Sequence, residues 1–260
     1  MTIDEILANL EDPDQPDYKD WRNCLVFWAR PTAKVRTMIA EVQAKLLEVA
    51  PCKSDLVAHM RSSRDHRLTI PVALWTMPPT SLHMTALEIT HSLTAPEIET
   101  IVAQMQPILS TMADYTTTHR ARLVKPVISF DAQALALSFL PAAGEPGRSP
   151  EIDKYSYHHL RRDLFAQAHA GGVKVGSRYV VPSAHLTIAR FIKPQDFDME
   201  ALMRVVGELN EWLEKEFWPT EGAIKDGGEW IVGEEKGLEV RKGTLWYGSG
   251  GETVLVGEGF

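Results

Sequence analysis

The same order of predicted elements occurs twice along the chain. Each copy reads as a strand, an amphipathic helix and two further strands. Few side chains are identical between the copies, so the pattern repeats and the sequence does not. Such a duplication constrains the architecture strongly, because two equivalent units can pack as related halves. The predicted elements are 82–89, 95–115, 125–131 and 134–140 in the first copy, and 184–189, 197–217, 229–234 and 238–247 in the second.

Each copy begins with a His-x-Thr triplet inside its first strand, His83-Met84-Thr85 and His185-Leu186-Thr187. Alternate side chains of a strand share a face, so the His and the Thr of one triplet point the same way. Histidine titrates near neutral pH, and a hydroxyl can hold an anionic oxygen. Two triplets that face each other would combine one base, one acid and two phosphate-holding hydroxyls.

We therefore predict an α+β fold. It is bilobal, with two pseudo-twofold-related α+β units whose antiparallel sheets line a central cleft. Residues 1–260 are predicted to form a single domain, with the repeat units at about 80–145 and 180–250.

Composition limits the partners. A formal net charge of −8 and the absence of a dominant Lys and Arg cluster argue against binding of long nucleic acid. A small nucleotide or a short RNA end needs only a local positive pocket. The sequence contains no apolar run of about 18 residues and no signal-peptide pattern. We expect a cytoplasmic monomer with no membrane partner, with the nucleus as the alternative compartment.

The second triplet carries a family resemblance. The run Pro182-Ser183-Ala184-His185-Leu186-Thr187-Ile188-Ala189-Arg190 resembles the Pro-His-x-Thr-hydrophobic-x-Arg motif of the 2H phosphoesterase superfamily. That family includes 2′-5′ RNA ligase-like proteins and cyclic nucleotide phosphodiesterases. The run departs from the motif by two residues between the proline and the histidine, and the first triplet has Glu88 where the second has Arg190. The resemblance covers about residues 20–250 and implies a bilobal, metal-free cleft that cleaves phosphodiesters.

The residue types fit such chemistry independently. Opening a 2′,3′-cyclic phosphate needs one proton taken from water and one given to the leaving ribose oxygen, and two imidazoles can do both. His83 and His185 are the predicted base and acid, in either order, and Thr85 and Thr187 would hold the phosphate oxygens. We predict a metal-independent phosphodiesterase without cofactors that acts on 2′,3′-cyclic nucleotides or cyclic-phosphate RNA ends. The resemblance favours a 2′-phosphate product.

Three alternatives stay open. One is an RNA 3′-end exonuclease that leaves a cyclic phosphate, although a longer basic track would be expected for it. Another is a nucleotide-binding module without turnover. The third is a structural α+β protein whose two histidines are satisfied in the core.

Strand alternation places other residues relative to the triplets. It puts Arg190 on the face opposite His185, which predicts a salt bridge with a carboxylate behind the sheet. It puts Phe191 on the His185 face and Leu87 and Ile89 on the His83 face. Phe191 is thus a candidate for stacking on a base. Further candidate substrate contacts are Trp75, Arg178 and Tyr179, the loop arginines Arg61, Arg64 and Arg67, and Lys174.

Overall fold

The computed structural model describes residues 2–12, 14–49, 74–145, 149–178, 183–192, 198–221, 225–247 and 251–260. These residues form six α-helices and a nine-stranded sheet. The helices are α1 (Glu5–Leu10), α2 (Ala33–Val49), α3 (Ala95–Met105), α4 (Leu109–Ala113), α5 (Tyr157–Ala170) and α6 (Met199–Phe217). The strands are β1 (Asn23–Ala29), β2 (Leu74–Thr76), β3 (Met84–Leu93), β4 (Arg122–Phe130), β5 (Ala134–Pro141), β6 (Ala184–Phe191), β7 (Glu229–Ile231), β8 (Glu239–Gly243) and β9 (Gly251–Val256).

The sheet consists of two antiparallel halves that meet at its centre. Its strand order is β7-β4-β5-β6-β3-β1-β8-β9, and β2 pairs separately with β6. Strands β3 and β6 are joined at one residue pair, Met84 with Leu186. Strands at equal distances from this central pair occupy equivalent places in the two halves: β3 corresponds to β6, β1 to β5, β8 to β4 and β9 to β7. The predicted α+β, bilobal architecture with two related halves is confirmed.

The two repeat units exchange strands between the halves. Strands β4 and β5 follow the first triplet in sequence, yet they pair beside β6 and so lie in the half that contains the second triplet. Strand β8 follows the second triplet but pairs with β1 in the half of the first. Each half of the sheet therefore requires both units, which binds the two triplets into one structure.

Helices cover the core face of each half. Helices α2 and α6 pack together against β6 and β4, whereas α3 and α5 pack against β1 and β3. Helix α6 buries a stripe of apolar residues at helical spacing, Leu202, Val206, Leu209 and Leu213. In β1 the residues that face this core, Leu25 and Phe27, are fully buried. No helix in the described parts of the chain is long and apolar enough to cross a bilayer.

Two element predictions need correction. The single helix predicted over 95–115 is interrupted after Met105 and resumes at Leu109. The strand predicted over 238–247 ends at Gly243, and β8 pairs with β9. Residues 244–247 belong to the connection between these strands, and this frees Trp246 to reach the cleft.

Candidate functional site

The two His-x-Thr triplets lie side by side at the centre of the sheet. Met84 and Leu186, the middle residues of the triplets, are antiparallel partners. One residue to either side of this pair, His83 lies opposite Thr187 and Thr85 lies opposite His185. Directly opposed side chains share a face of the sheet, with Cβ atoms about 5 Å apart. The four side chains therefore form one cluster that faces the cleft.

The first triplet is held tightly. Nδ1 of His83 lies 2.6 Å from the carbonyl oxygen of Ser81. A carbonyl only accepts, so Nδ1 carries the proton and Nε2 keeps its lone pair. The imidazole also stacks on the Trp28 ring, with centroids 3.7 Å apart. Arg30 donates to the carbonyl oxygens of Thr80 and Leu82 and so holds the segment that leads into the triplet.

His83 is neutral at physiological pH. Burial lowers its pKa from the ordinary 6.5 to about 3, although the hydrogen bond to Ser81 acts in the opposite direction. The positive charges of Arg30, His185 and Arg241 lower the pKa further. The influence of His185 reflects the closeness of the two imidazoles.

The second triplet repeats this arrangement in a more open setting. Nδ1 of His185 lies 3.2 Å from the hydroxyl oxygen of Ser183, and hydrogen bonding to the Ser183 backbone raises its pKa. Burial lowers the pKa of His185 overall, and the carboxylate of Asp131 opposes that effect. Both histidines thus interact through Nδ1 with a serine two residues earlier, and the repeated motif is Ser-x-His-x-Thr.

A β-bulge follows each triplet at the same place. In β3, Thr85 and Leu87 pair with the consecutive residues Trp28 and Phe27, so Ala86 is the extra residue. In β6, Thr187 and Ala189 pair with the consecutive residues Ala136 and Leu135, so Ile188 is the extra residue. Each bulge reverses the alternation of the residues beyond it.

Side chains from the helices satisfy the carbonyl groups at both bulges. The carbonyl oxygen of Thr85 accepts from the hydroxyl of Tyr157 at 3.1 Å and from Arg161 at 3.2 Å. The carbonyl oxygen of Ile188 accepts from Nε2 of Gln43 at 2.9 Å and from the backbone N–H of Met77 at 2.9 Å. Because these partners are supplied, both bulges are stable features of the fold.

The bulges overturn the strand-alternation argument. Arg190 lies on the cleft face together with His185 and Thr187, and Glu88 lies on the cleft face with His83. Phe191 is fully buried in the core on the other face, where Leu87 and Ile89 also lie. In this position Phe191 is not accessible to a base.

The salt bridge expected for Arg190 is present, and its partner is a residue of the N-terminal segment. Nη1 of Arg190 lies 3.2 Å from Oδ2 of Asp4, the N-cap residue of α1. Tyr247 donates its hydroxyl to Oδ1 of the same carboxylate at 2.7 Å. Nε of Arg190 is buried and has no hydrogen-bond partner in the described parts of the chain. Asp4 thus fixes the guanidinium and leaves part of its donor capacity unused.

The cleft has two connected parts, which share Thr187, Arg190 and Trp246. The narrower part contains His83, Thr85 and Glu88 against the Trp28 side of β1. The wider part contains His185 and the turn between β4 and β5. These parts enclose about 430 and about 970 Å³ of space, a measure that includes volume open to solvent.

Besides Trp28, two aromatic residues of the cleft were missed from the sequence. Phe130 is 50% exposed in the wider part. Trp246 lies under the guanidinium of Arg178, whose Cζ is 3.8 Å from the ring centroid. Neither residue lies near a triplet in sequence, so only the fold brings them to the site.

The remaining candidate contacts have mixed outcomes. Arg178 lines the wider part of the cleft. Trp75 pairs with Arg190 across β2 and β6 and packs edge-on against Tyr247, with centroids 6.3 Å apart. Lys174 lies in the loop between α5 and β6. Tyr179, Arg61, Arg64 and Arg67 lie outside the described residues.

No protein-family model and no curated protein matches the chain. Among solved structures, it is similar to TT0787 of Thermus thermophilus, with 16% identity, a TM-score of 0.46 and coverage of 90% of this chain and 97% of that one. It is similar to E. coli LigT complexed with 3′-AMP, with 12% identity, a TM-score of 0.44 and coverage of 92% of this chain and 98% of that one. It is also similar to Kluyveromyces marxianus Usb1, with 12% identity, a TM-score of 0.38 and coverage of 90% of this chain and 98% of that one.

Proposed function

We propose that the chain is a metal-independent phosphodiesterase that opens 2′,3′-cyclic phosphates of nucleotides or short RNA ends. The observation that carries the proposal is the opposed pair of triplets, which places two imidazoles and two hydroxyls on one face of the sheet around one cleft. Acid–base cleavage of a phosphodiester needs this set of groups.

In the proposed reaction, His83 is the general base. Its Nδ1–H donates to Ser81, so Nε2 is available to take a proton from water as the water attacks phosphorus. The bond from phosphorus to one ribose oxygen then breaks. The site opens the ring without a covalent intermediate, and the family resemblance favours release of a 2′-phosphate.

His185 is the proposed general acid, which protonates the leaving ribose oxygen. It is less deeply buried than His83, and the Asp131 carboxylate favours its charged form. A bound phosphate anion adds negative charge beside the ring, which raises the pKa of His185 further. The protonated form is therefore more accessible at His185 than at His83.

The charge of the phosphate would be held by three groups. The hydroxyls of Thr85 and Thr187 flank the histidines and can donate to the non-bridging oxygens. Arg190 lines both parts of the cleft and adds a positive charge beside the triplets. A small nucleotide is the proposed partner, and the net charge of −8 favours it over long nucleic acid.

The test is a panel of 2′,3′-cyclic, 3′,5′-cyclic, 2′-5′-linked and 3′-5′-linked substrates, with products identified by phosphorus NMR. We expect the 2′,3′-cyclic compounds to be opened at a rate unaffected by EDTA. Cleavage of linked substrates to cyclic phosphates would favour the exonuclease alternative. Tight nucleotide binding without product would favour the binding module, and chelator-sensitive turnover would contradict a metal-independent reaction.

A further inference from the structure

The two halves of the sheet carry residues of opposite charge at equivalent positions. Glu88 and Arg190 each follow their threonine by three residues, beyond equivalent bulges. Because β3 and β6 are antiparallel, these positions lie at opposite ends of the central cluster. The related halves of the sheet therefore place a carboxylate and a guanidinium at equivalent positions, and both side chains line the narrower part of the cleft.

Glu88 is an unusual residue for its position. It is 1% exposed, and it lines the narrower part of the cleft together with His83 and Thr85. Its Oε2 accepts a hydrogen bond of 2.8 Å from the backbone N–H of Arg178. No lysine or arginine side chain forms a salt bridge with it among the described residues. Burying a carboxylate without a cationic partner costs free energy, and a hydrogen-bond donor from a bound ligand would offset part of that cost.

An isolated carboxylate of this kind has two effects on a ligand. Its oxygens only accept hydrogen bonds, so it stabilises a neutral group that donates one. It also repels a second phosphate at the same end of the cleft.

We propose, on the basis of the phosphodiesterase function above, that Glu88 is a specificity-determining residue that accepts a hydrogen bond from a neutral donor of the nucleotide and excludes a second phosphate. The donor is a hydroxyl of the sugar or an N–H group of the base. Substrates with a free 5′-hydroxyl are preferred over those with a 5′-phosphate.

The first experiment needs no variant. The kcat/KM of the unaltered protein is measured for 2′,3′-cyclic nucleotides that differ only in a 5′-hydroxyl or a 5′-phosphate. We expect a preference of about 10-fold or more for the 5′-hydroxyl. Equal kcat/KM values would overturn the exclusion of a second phosphate.

The second experiment uses Glu88→Gln, which keeps a side-chain carbonyl oxygen to accept from the backbone N–H of Arg178 but removes the negative charge. We expect the preference for 5′-hydroxyl substrates to shrink by about 10-fold, because a charged hydrogen bond contributes about 10- to 100-fold. The matched control is Glu252→Gln, an exposed residue of β9 that changes the net charge equally. Identical substrate ratios in the two variants would contradict the role of Glu88.

The donor itself is identified by substrate changes. The difference in kcat/KM between the unaltered protein and Glu88→Gln is measured with each analogue. If the difference disappears with a 5′-deoxy nucleotide, the donor is the sugar hydroxyl, and if it disappears with an N-methylated base, the donor is the base. Persistence of the effect with both analogues would refute donor recognition.

If no substrate is turned over, the proposed function fails. Calorimetric binding of the same nucleotides to the Glu88→Gln and Glu252→Gln variants then tests Glu88 separately, and equal affinities would overturn its role. Should Glu88→Gln fail to fold, Glu88→Asp replaces it and is expected to weaken donor recognition while keeping the exclusion.

Discussion

The His83 and His185 triplets occupy equivalent places in the two halves of the sheet, but their surroundings differ. His83 is stacked on Trp28, whose ring also contacts Arg30 and Arg241, and burial lowers the pKa of His83 to about 3. His185 faces the wider part of the cleft, and the Asp131 carboxylate favours its charged form. A duplicated backbone has thus given the same geometry twice, while the surroundings keep His83 in the neutral form that a general base requires and make His185 easier to protonate.

The largest effect that separates the two triplets is expected from His83→Ala and His185→Ala. Each should lower kcat by about 10²- to 10⁴-fold, because each removes one proton transfer. The pH dependence of kcat/KM of each variant separates the two roles. Loss of the base should remove the fall in activity at low pH, and loss of the acid should remove the fall at high pH. His169→Ala, on the exposed surface of α5, is the control. A folded His83 or His185 variant with unaltered turnover would disprove the acid–base scheme.

The threonines test whether both halves hold the phosphate. Thr85→Val and Thr187→Val keep the side-chain shape but remove the hydroxyl. We expect each to lower kcat by about 10²-fold, as for loss of one oxyanion donor. Thr100→Val, on the exposed face of α3, is the matched control. If only one threonine matters, the phosphate is held by a single half of the sheet.

Arg190 tests the charge asymmetry. Arg190→Gln should raise KM by about 10-fold or more through loss of a charged contact with the phosphate. Asp4→Asn keeps the guanidinium but weakens its anchor, so its effect should be smaller. Arg204→Gln, an exposed residue of α6, controls for net charge. An unchanged KM in the Arg190 variant would return that residue to a purely structural role.

The smallest expected effect is on stability. The pKa of His83 is about 3 in the folded protein and about 6.5 when unfolded. Between these values the unfolded state binds the extra proton, so stability falls as the pH falls, by about 1.4 kcal/mol per pH unit. From pH 6.5 to about pH 5 the loss is about 2 kcal/mol. His83→Phe should lose less stability over this range in denaturant titrations, and an equal loss would contradict the burial of a neutral His83.

Part of this comparison was predictable from the sequence. Apolar periodicity and the repeated pattern predict the α+β bilobal fold, and the triplets mark its centre. The repeated serine two residues before each histidine, Ser81 and Ser183, was also available as a signal. The cross-pairing of β4 and β5 with β6 was not, because strand pairing between distant segments leaves no local pattern.

The bulges are the main reason that the sequence argument placed some site residues wrongly. Strand alternation assumes a regular ladder, and one extra residue reverses every side chain beyond it. The extra residues Ala86 and Ile188 moved Glu88 and Arg190 into the cleft and Phe191 out of it. Nothing in the composition of either strand distinguishes a bulge from regular pairing.

The central claim is that the two triplets form one site, and a double-mutant cycle tests it most directly. The kcat/KM for a 2′,3′-cyclic nucleotide is measured for His83→Ala, His185→Ala and the double variant. Groups that act as a unit are strongly non-additive, so we predict that the double variant loses no more than about 10-fold beyond the worse single variant. Losses that multiply would show that the two histidines act independently and would contradict a single bipartite site.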